Sequence, residues 1–371
     1  MQEPLHIPGY TFVSKIAEGG MATVWKARQE KLDRVVAIKV LEKDVEVSPD
    51  VFQRFIYEAR AAASLIHPNV VQVIDAGEQD HFMYYIMEYV PGMTAGDAVE
   101  AGRPMKEKPL LRIAREVAEA LDYAWQEHHV VHCDIKPENL LLHRNGRTKV
   151  ADLGLAQVTG IAAVEMEEGM TLGTPNYFPP EQALVEENLD CRTDMYALGA
   201  TLYHLATGQV PFGADDPETV AAHQVHSQLP NPRELNPELS WGLTCLIERL
   251  MAKKAADRYL NWSDVLEDLQ AVEEGRMIPY PLNASVKSTI THLEPPEMTT
   301  GPAHTAARVL PPRTVQQRKP ALKISIQDAE ALHARRAPHK TPDSIWPLVV
   351  GLGLVVVVLY GVTLMEMRGA F

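Results

Sequence analysis

Residues 34–40 read Arg-Val-Val-Ala-Ile-Lys-Val. This run is rich in β-branched side chains, which fit a pleated, half-buried surface, and it predicts a strand. Residues 51–65 predict a helix, and an apolar strand leads up to Met87. As far as Tyr89 the pattern is strand-rich with one clear helix; beyond it the pattern is mainly helical. Leu110, Ala114, Val117, Leu121 and Ala124 recur every three or four residues, one apolar stripe of a helix. The expected fold class is α+β: a small β-rich lobe hinged to a larger α-rich lobe, over residues 10–272.

From 275 to 344 the apolar periodicity fades and prolines recur, which predicts a disordered linker, with 327–337 a candidate short helix. Residues 276–344 hold ten Lys and Arg against five Asp and Glu. Residues 345–365 then run for 21 positions without a charge. At 1.5 Å per residue this is about 31 Å of helix, enough to cross a bilayer core. A buried core helix would need a domain around it, and this segment follows a linker. Trp346 suits the membrane interface, and Pro347 stands near the helix start, where it is tolerated. Arg335, Arg336 and Lys340 precede the span, whereas Glu366 and Arg368 are the charges that follow it. The positive-inside rule places residues 10–344 in the cytoplasm and leaves 366–371 as a short extracytoplasmic tail.

Charge and cysteine content narrow the classes further. A net charge of −14 argues against nucleic acid as a partner. Three widely spaced cysteines give neither a disulfide framework nor a zinc pattern, in keeping with a reducing compartment. Residues 1–10 lack the apolar centre of a signal peptide.

Three short motifs fall within the two-lobed region. Lys39 closes Val36-Ala37-Ile38-Lys39; Asp134 and Asn139 stand in His132-Cys133-Asp134-Ile135-Lys136-Pro137-Glu138-Asn139; Asp152 opens Asp152-Leu153-Gly154. In this order they resemble the eukaryotic-like, or Hanks-type, Ser/Thr protein kinase family, with its V-A-I-K, H-R-D-x-x-x-x-N and D-F-G. Each alone is weak; the ordered series is hard to reach by chance. The resemblance implies a bilobal kinase fold with ATP in the cleft, and phosphoryl transfer by positioning and charge neutralisation. Lys39 would hold the nucleotide phosphates, oriented by Glu58. Asn139 and Asp152 would bind Mg²⁺, since hard cations take oxygen ligands. Asp134 would accept the proton of the acceptor hydroxyl, and Lys136 would stand beside the transferred phosphate. Lysine at that position is typical of Ser/Thr-directed members.

The resemblance extends to the nucleotide pocket. Glu18-Gly19-Gly20-Met21-Ala22-Thr23-Val24 resembles the turn over the phosphates, so Gly19 and Gly20 would face them. Met87 would be the gatekeeper, and Glu88 to Val90 the hinge that meets adenine through its backbone. Ile16, Val24, Ala37 and Leu141 would sandwich the purine. Gly173-Thr174-Pro175 and Pro179-Pro180-Glu181 resemble the end of the activation segment, a platform for protein substrates. Asp194 and Arg258 fit the large-lobe anchors, with Arg258 pairing Glu181. The implied partners are proteins bearing Ser or Thr, this chain included, and the membrane; a homodimer is left open. A single span after the catalytic domain is similar to the plan of bacterial membrane Ser/Thr kinases.

The sequence departs from the family at five positions, the least of them Pro179 in place of the alanine of A-P-E. Ala17 and Ala22 replace two glycines of the phosphate loop, and alanine does not easily take positive φ. Leu153 replaces the phenylalanine of D-F-G. Cys133 replaces the arginine that receives an activation-loop phosphate, so dependence on phosphorylation at Thr159 or Thr171 is expected to be weak, with Arg54 the remaining cation in reach. Cys133 itself is expected to be a buried small side chain. A pseudokinase scaffold at the membrane is the alternative reading, and intact Lys39, Asp134, Asn139 and Asp152 speak against it. An antibiotic-phosphotransferase type of small-molecule kinase is opposed by the substrate platform and Lys136.

Overall fold

A computed structural model describes residues 5–19, 22–43, 49–79, 81–100, 104–152, 157–158, 175–186 and 189–278. The expected Gly20 contact, Leu153, Thr159, Thr171, the Gly173-Thr174 pair and the Arg54 side chain lie outside the described residues, as do the linker beyond 278, the 327–337 helix, the 345–365 span and the 366–371 tail. Among the described residues, no helix is long and apolar enough to cross a membrane.

The first lobe is a five-stranded antiparallel sheet of β1 (Tyr10–Glu18), β2 (Thr23–Gln29), β3 (Arg34–Glu42), β4 (Val73–Gln79) and β5 (Phe82–Glu88), with α1 (Pro49–Ser64) between β3 and β4. The strand order is β1-β2-β3-β5-β4. Side chains alternate across a strand, so β3 and β5 each feed two cores. Val36, Ile38 and Val40 of β3 meet Phe82 and Ile86 of β5 on one face, with Ala27 and Ile7. Leu41, Met83 and Tyr85 point to the other face, where Phe55, Ala59 and Ala62 of α1 pack. Burial on both faces explains why residues 34–41 read as a nearly continuous apolar run. It also makes Lys39, on the α1 side, a charge inside the lobe.

The second lobe opens with β6 (Gly92–Thr94), α2 (Ala95–Glu100), α3 (Glu107–His128) and β7 (Val130–Val131). The predicted stripe of α3 is buried at Leu110, Ala114, Val117, Leu121 and Ala124. Each large aliphatic in it contributes about 1.5–3 kcal/mol by leaving water. His129 ends the helix in the left-handed region at φ 52, its N–H bonded to the last turn, and turns the chain into β7. Next come β8 (Leu140–His143) and β9 (Thr148–Val150), which pair with β6 in the order β6-β8-β9, and β10 (Gln157–Val158), which pairs with β7. The remainder is helical: α4 (Pro180–Ala183), α5 (Cys191–Thr207), α6 (Pro217–His226), α7 (Pro232–Leu235), α8 (Trp241–Leu250) and α9 (Trp262–Glu273).

Helix α5 is the centre of this lobe. Apart from Arg192 and His204, every one of its residues is buried, so it is apolar all round rather than amphipathic. Gly199 lets α8 approach: a Cβ there would lie 2.7 Å from Met251 Cγ and 2.8 Å from Leu250 Cβ. The packed chain runs slightly past both expected edges of the domain, 10 and 272. Ile7 is buried at one end, and Ile278 at the other joins the core of α3, α5, α8 and α9.

Arg258 lies fully inside and spends all its donors. Its Nη atoms bind Glu181 Oε1 and Oε2 at 2.6 and 2.8 Å, and the rest reach the carbonyls of Ala252, Arg192 and Lys253. This pair fastens α4 to α5 and to the turn before α9. Truncating one partner strands a buried charge, so Glu181→Ala is expected to cost about 3–5 kcal/mol. Urea unfolding of the single variant and of Glu181→Ala with Arg258→Met checks this; the double variant should be the more stable of the two.

Candidate active site

Lys39 reaches the inner face of β3, where the register sets it across from Val24 of β2 and Tyr85 of β5. Its Nζ lies 2.7 Å from Glu58 Oε1 and 2.6 Å from Asp152 Oδ1. Glu58 projects from α1 and is buried; Tyr85 donates its hydroxyl to the same Oε1 at 2.5 Å. Tyr85 was not foreseen as part of the site, although its spacing from Met83 and Met87 puts it on the Lys39 face. Asp152 follows β9 in the left-handed region at φ 63 and is half-exposed.

One ammonium thus serves two carboxylates. Burial pushes the Glu58 carboxyl up to about 7, with Lys39 opposing and the Asp152 charge adding to the rise. Against burial, the Lys39 charge holds the Asp152 carboxyl well below its usual range. Lys39 itself is raised, because the two carboxylates outweigh the burial that opposes its charge.

The loop from His132 to Asn139 is set by backbone contacts. Both oxygens of buried Asp194 accept main-chain N–H groups, from His132 at 2.7 Å and from Cys133 at 2.8 Å. Cys133 takes φ 63 and tucks its side chain against Val131 and Leu189, as a small buried residue should. His132 Nε2 lies 3.1 Å from the Ala151 carbonyl, and its Nδ1 accepts the Asp134 N–H at 3.3 Å. A carbonyl can only accept, so the ring proton sits on Nε2. Asn139 Nδ2 donates to Asp134 O at 2.8 Å and to Asp134 Oδ2 at 2.9 Å; Lys136 Nζ lies 2.8 Å from that Oδ2. Ala151 N–H binds Asn139 O at 2.9 Å, which joins this loop to the strand end that carries Asp152. Asp134, Lys136 and Asn139 are therefore brought together, Lys39, Glu58 and Asp152 form a second group, and the Ala151–Asn139 main-chain bond joins the two.

The expected purine pocket is assembled in part. Val24 pairs with Lys39, and Ala37 with Met87, on neighbouring strands. Leu141 lies half-buried in the second sheet, on β8. Ile16 falls at a register shift between Lys15 and Ala17 and is exposed. Gly19 closes the loop by donating its N–H to Ala22 O at 2.9 Å. The Glu88 N–H is spent on Gln72 O, so its carbonyl is what it can offer a ligand, with Val90 two residues on. The Glu88 carboxylate, whose role the sequence did not suggest, accepts the Gln72 N–H at 2.9 Å and Lys149 Nζ at 2.6 Å, tying the strand junction to β9. Among the described residues no group of three or more His, Cys, Asp or Glu could hold a metal ion. Asn139 and Asp152 offer one amide and one carboxylate oxygen, hard donors that suit a small divalent cation.

The Glu58 shift carries a sign. Between its ordinary 4.5 and about 7 the folded protein binds more protons there than the unfolded chain, so this group's contribution to stability is lost as pH rises through that window. Asp152 is shifted the other way, and its contribution is lost only as pH falls below its ordinary 3.8. In Glu58→Gln the decline from pH 4.5 to 7 should flatten, as read from urea midpoints across that range.

The protein kinase domain family matches residues 10–268. A probable serine/threonine-protein kinase of Clostridium perfringens is 36% identical over 265 residues, covering 71% of this chain and 38% of that protein. Serine/threonine-protein kinase PrkC of Bacillus subtilis is 35% identical over 264 residues, 70% of this chain and 40% of its own length. Serine/threonine-protein kinase PknB of Mycolicibacterium smegmatis is 34% identical over 284 residues, 74% and 45% of the two chains. The chain thus spans less than half the length of these relatives. With the family matched from the first strand of the small lobe into the last helix of the large one, this chain belongs to the protein kinase domain family.

Proposed function

We propose that this chain transfers the γ-phosphoryl group of ATP to Ser and Thr hydroxyls of proteins, itself included, as a membrane-anchored signalling enzyme. The observation that carries the reading is the linked cluster: Lys39 between Glu58 and Asp152, and Asp134 pinned by Asn139 and Lys136. Such a cluster is preorganised, and preorganised charge is what phosphoryl transfer requires of a protein. The names of the relatives support Ser and Thr as acceptors.

In this reading Lys39 holds the nucleotide phosphates, and the Glu58 and Tyr85 contacts keep its stem from wandering. Asp134 accepts the proton of the acceptor hydroxyl through the oxygen not engaged by Asn139 and Lys136. Lys136, already beside Asp134, balances charge on the group in transit. Asn139 and Asp152 would hold Mg²⁺, which supplies neutralisation of the phosphate oxygens. Residues 345–365 anchor the chain, with residues 10–344 on the cytoplasmic side.

Asp134→Asn keeps the hydrogen bonds of the loop and removes the base. It is expected to lower transfer to a protein acceptor by about 10²–10⁴-fold while ATP still binds. Lys39→Met should abolish transfer as well. Labelled-ATP assays with equilibrium dialysis check both, and a wild-type rate in either variant would refute the assignment. Deleting 345–371 should yield a protein recovered in the soluble fraction with its intrinsic kinase activity retained. Its recovery in the membrane pellet would overturn the anchoring.

A further inference from the structure

Pro175, Asn176 and Tyr177 form a short 3₁₀ turn between the activation-segment motif and α4. Their backbone is held from within the lobe. Gln224 of α6 is fully buried and donates its Nε2 protons to Pro175 O at 3.1 Å and to Asn176 O at 2.6 Å. Its Oε1 accepts the hydroxyl of Tyr196, on α5, at 2.7 Å. Tyr196 in turn accepts from Lys253 Nζ at 3.3 Å, and the same ammonium caps Gln224 O at 2.7 Å and His223 O at 3.4 Å. Two carbonyls on one side and a hydroxyl donor on the other fix the amide's orientation, and every polar atom of Gln224 has a partner. A glutamine buried at this depth is costly unless it is so used. In α6 it follows Val220 by four residues, and these two are the buried positions of the helix.

We infer that Gln224 is the positioning residue for the protein-substrate platform: through Pro175 O and Asn176 O it sets the height and pitch of the turn against which the acceptor chain lies. The inference rests on the kinase reading above. Further ties hold the same turn from its flank, with Asn176 Nδ2 donating to Phe212 O at 3.2 Å and Tyr177 Oη lying 2.7 Å from His204 Nδ1. Gln224 differs from these in gripping two consecutive carbonyls; Pro175 O also accepts the Phe178 N–H at 3.2 Å, whereas the Asn176 carbonyl is held by Gln224.

The test uses the full chain with Gln224→Glu, which keeps the volume but sets carboxylate oxygens against two carbonyls. A packing role alone predicts little change. The positioning role predicts a KM for a synthetic Ser/Thr peptide raised about tenfold, the factor that corresponds to roughly 1.4 kcal/mol, with KM for ATP within about twofold of wild type. Amide hydrogen exchange at 176–178 should quicken about tenfold while the amides of α5 stay protected. Tyr196→Phe, which releases the other end of Gln224 and keeps the ring, should give the same pattern more weakly and serves if Gln224→Glu does not fold. Unchanged exchange at 176–178 in both variants would overturn the inference, as would faster exchange with an unchanged peptide KM. A wild-type protein that phosphorylates no acceptor would remove the kinase reading instead, and the exchange data would still decide whether Gln224 positions the turn.

Discussion

The carboxylate of Asp194 is the constraint on which the rest of the site depends. It sits in the first turn of α5, wholly buried, and accepts the main-chain amides of His132 and Cys133, 62 and 61 residues earlier in sequence. Burial pushes its pKa up, and the two amide bonds with the nearby His132 oppose that rise. A carboxylate in such a place is tolerated only if its oxygens are satisfied, and the amides of a left-handed residue are shaped to satisfy them. The geometry of the loop is thereby dictated by the helix beneath it.

From this anchor the active-site cluster follows in steps. Fixing 132 and 133 fixes Asp134, whose N–H returns to His132 and whose carboxylate is held by Asn139 and Lys136. Asn139 then holds Ala151, and Asp152 comes to lie at Lys39. The same helix reaches in other directions. Thr201 donates to Ile135 O, Thr193 donates to Glu181, and Tyr196 orients Gln224. A single helix with almost no exposed face thus serves the loop, α4 and the turn before it. Its burial gives those polar contacts a low-dielectric setting in which they are stiff.

Much of this was readable in the sequence, for reasons that can be named. The 34–40 strand, the 51–65 helix and the 110–124 stripe announce themselves by local periodicity, and they stand as β3, α1 and α3. Lys39, Asp134, Asn139 and Asp152 stand out because they sit in short ordered motifs, and Glu58 because it lies in the 51–65 helix; the structure sets Lys39 against Glu58 and Asp152, and Asp134 against Asn139. What escaped was long-range and polar. Tyr85 binds Glu58 across 27 residues, Lys149 binds Glu88 across 61, and Gln224 binds a turn 48 and 49 residues away. A lone Gln or Lys carries no periodic signal of burial. Ile7 and Ile278 are buried just outside 10–272, in short stretches without a periodic apolar run to mark them.

The substitution at Cys133 has a consequence for what the catalytic loop can feel. Where a guanidinium would tie the loop to an anion, this chain has a thiol lodged among Val131, Leu189 and Trp125. Van der Waals contact is indifferent to ionic strength, whereas it falls off within an ångström of misfit. At this position the loop is therefore tuned by volume rather than by charge. Salt leaves that contact unmoved, and a side chain one methylene larger or smaller in that nook does not.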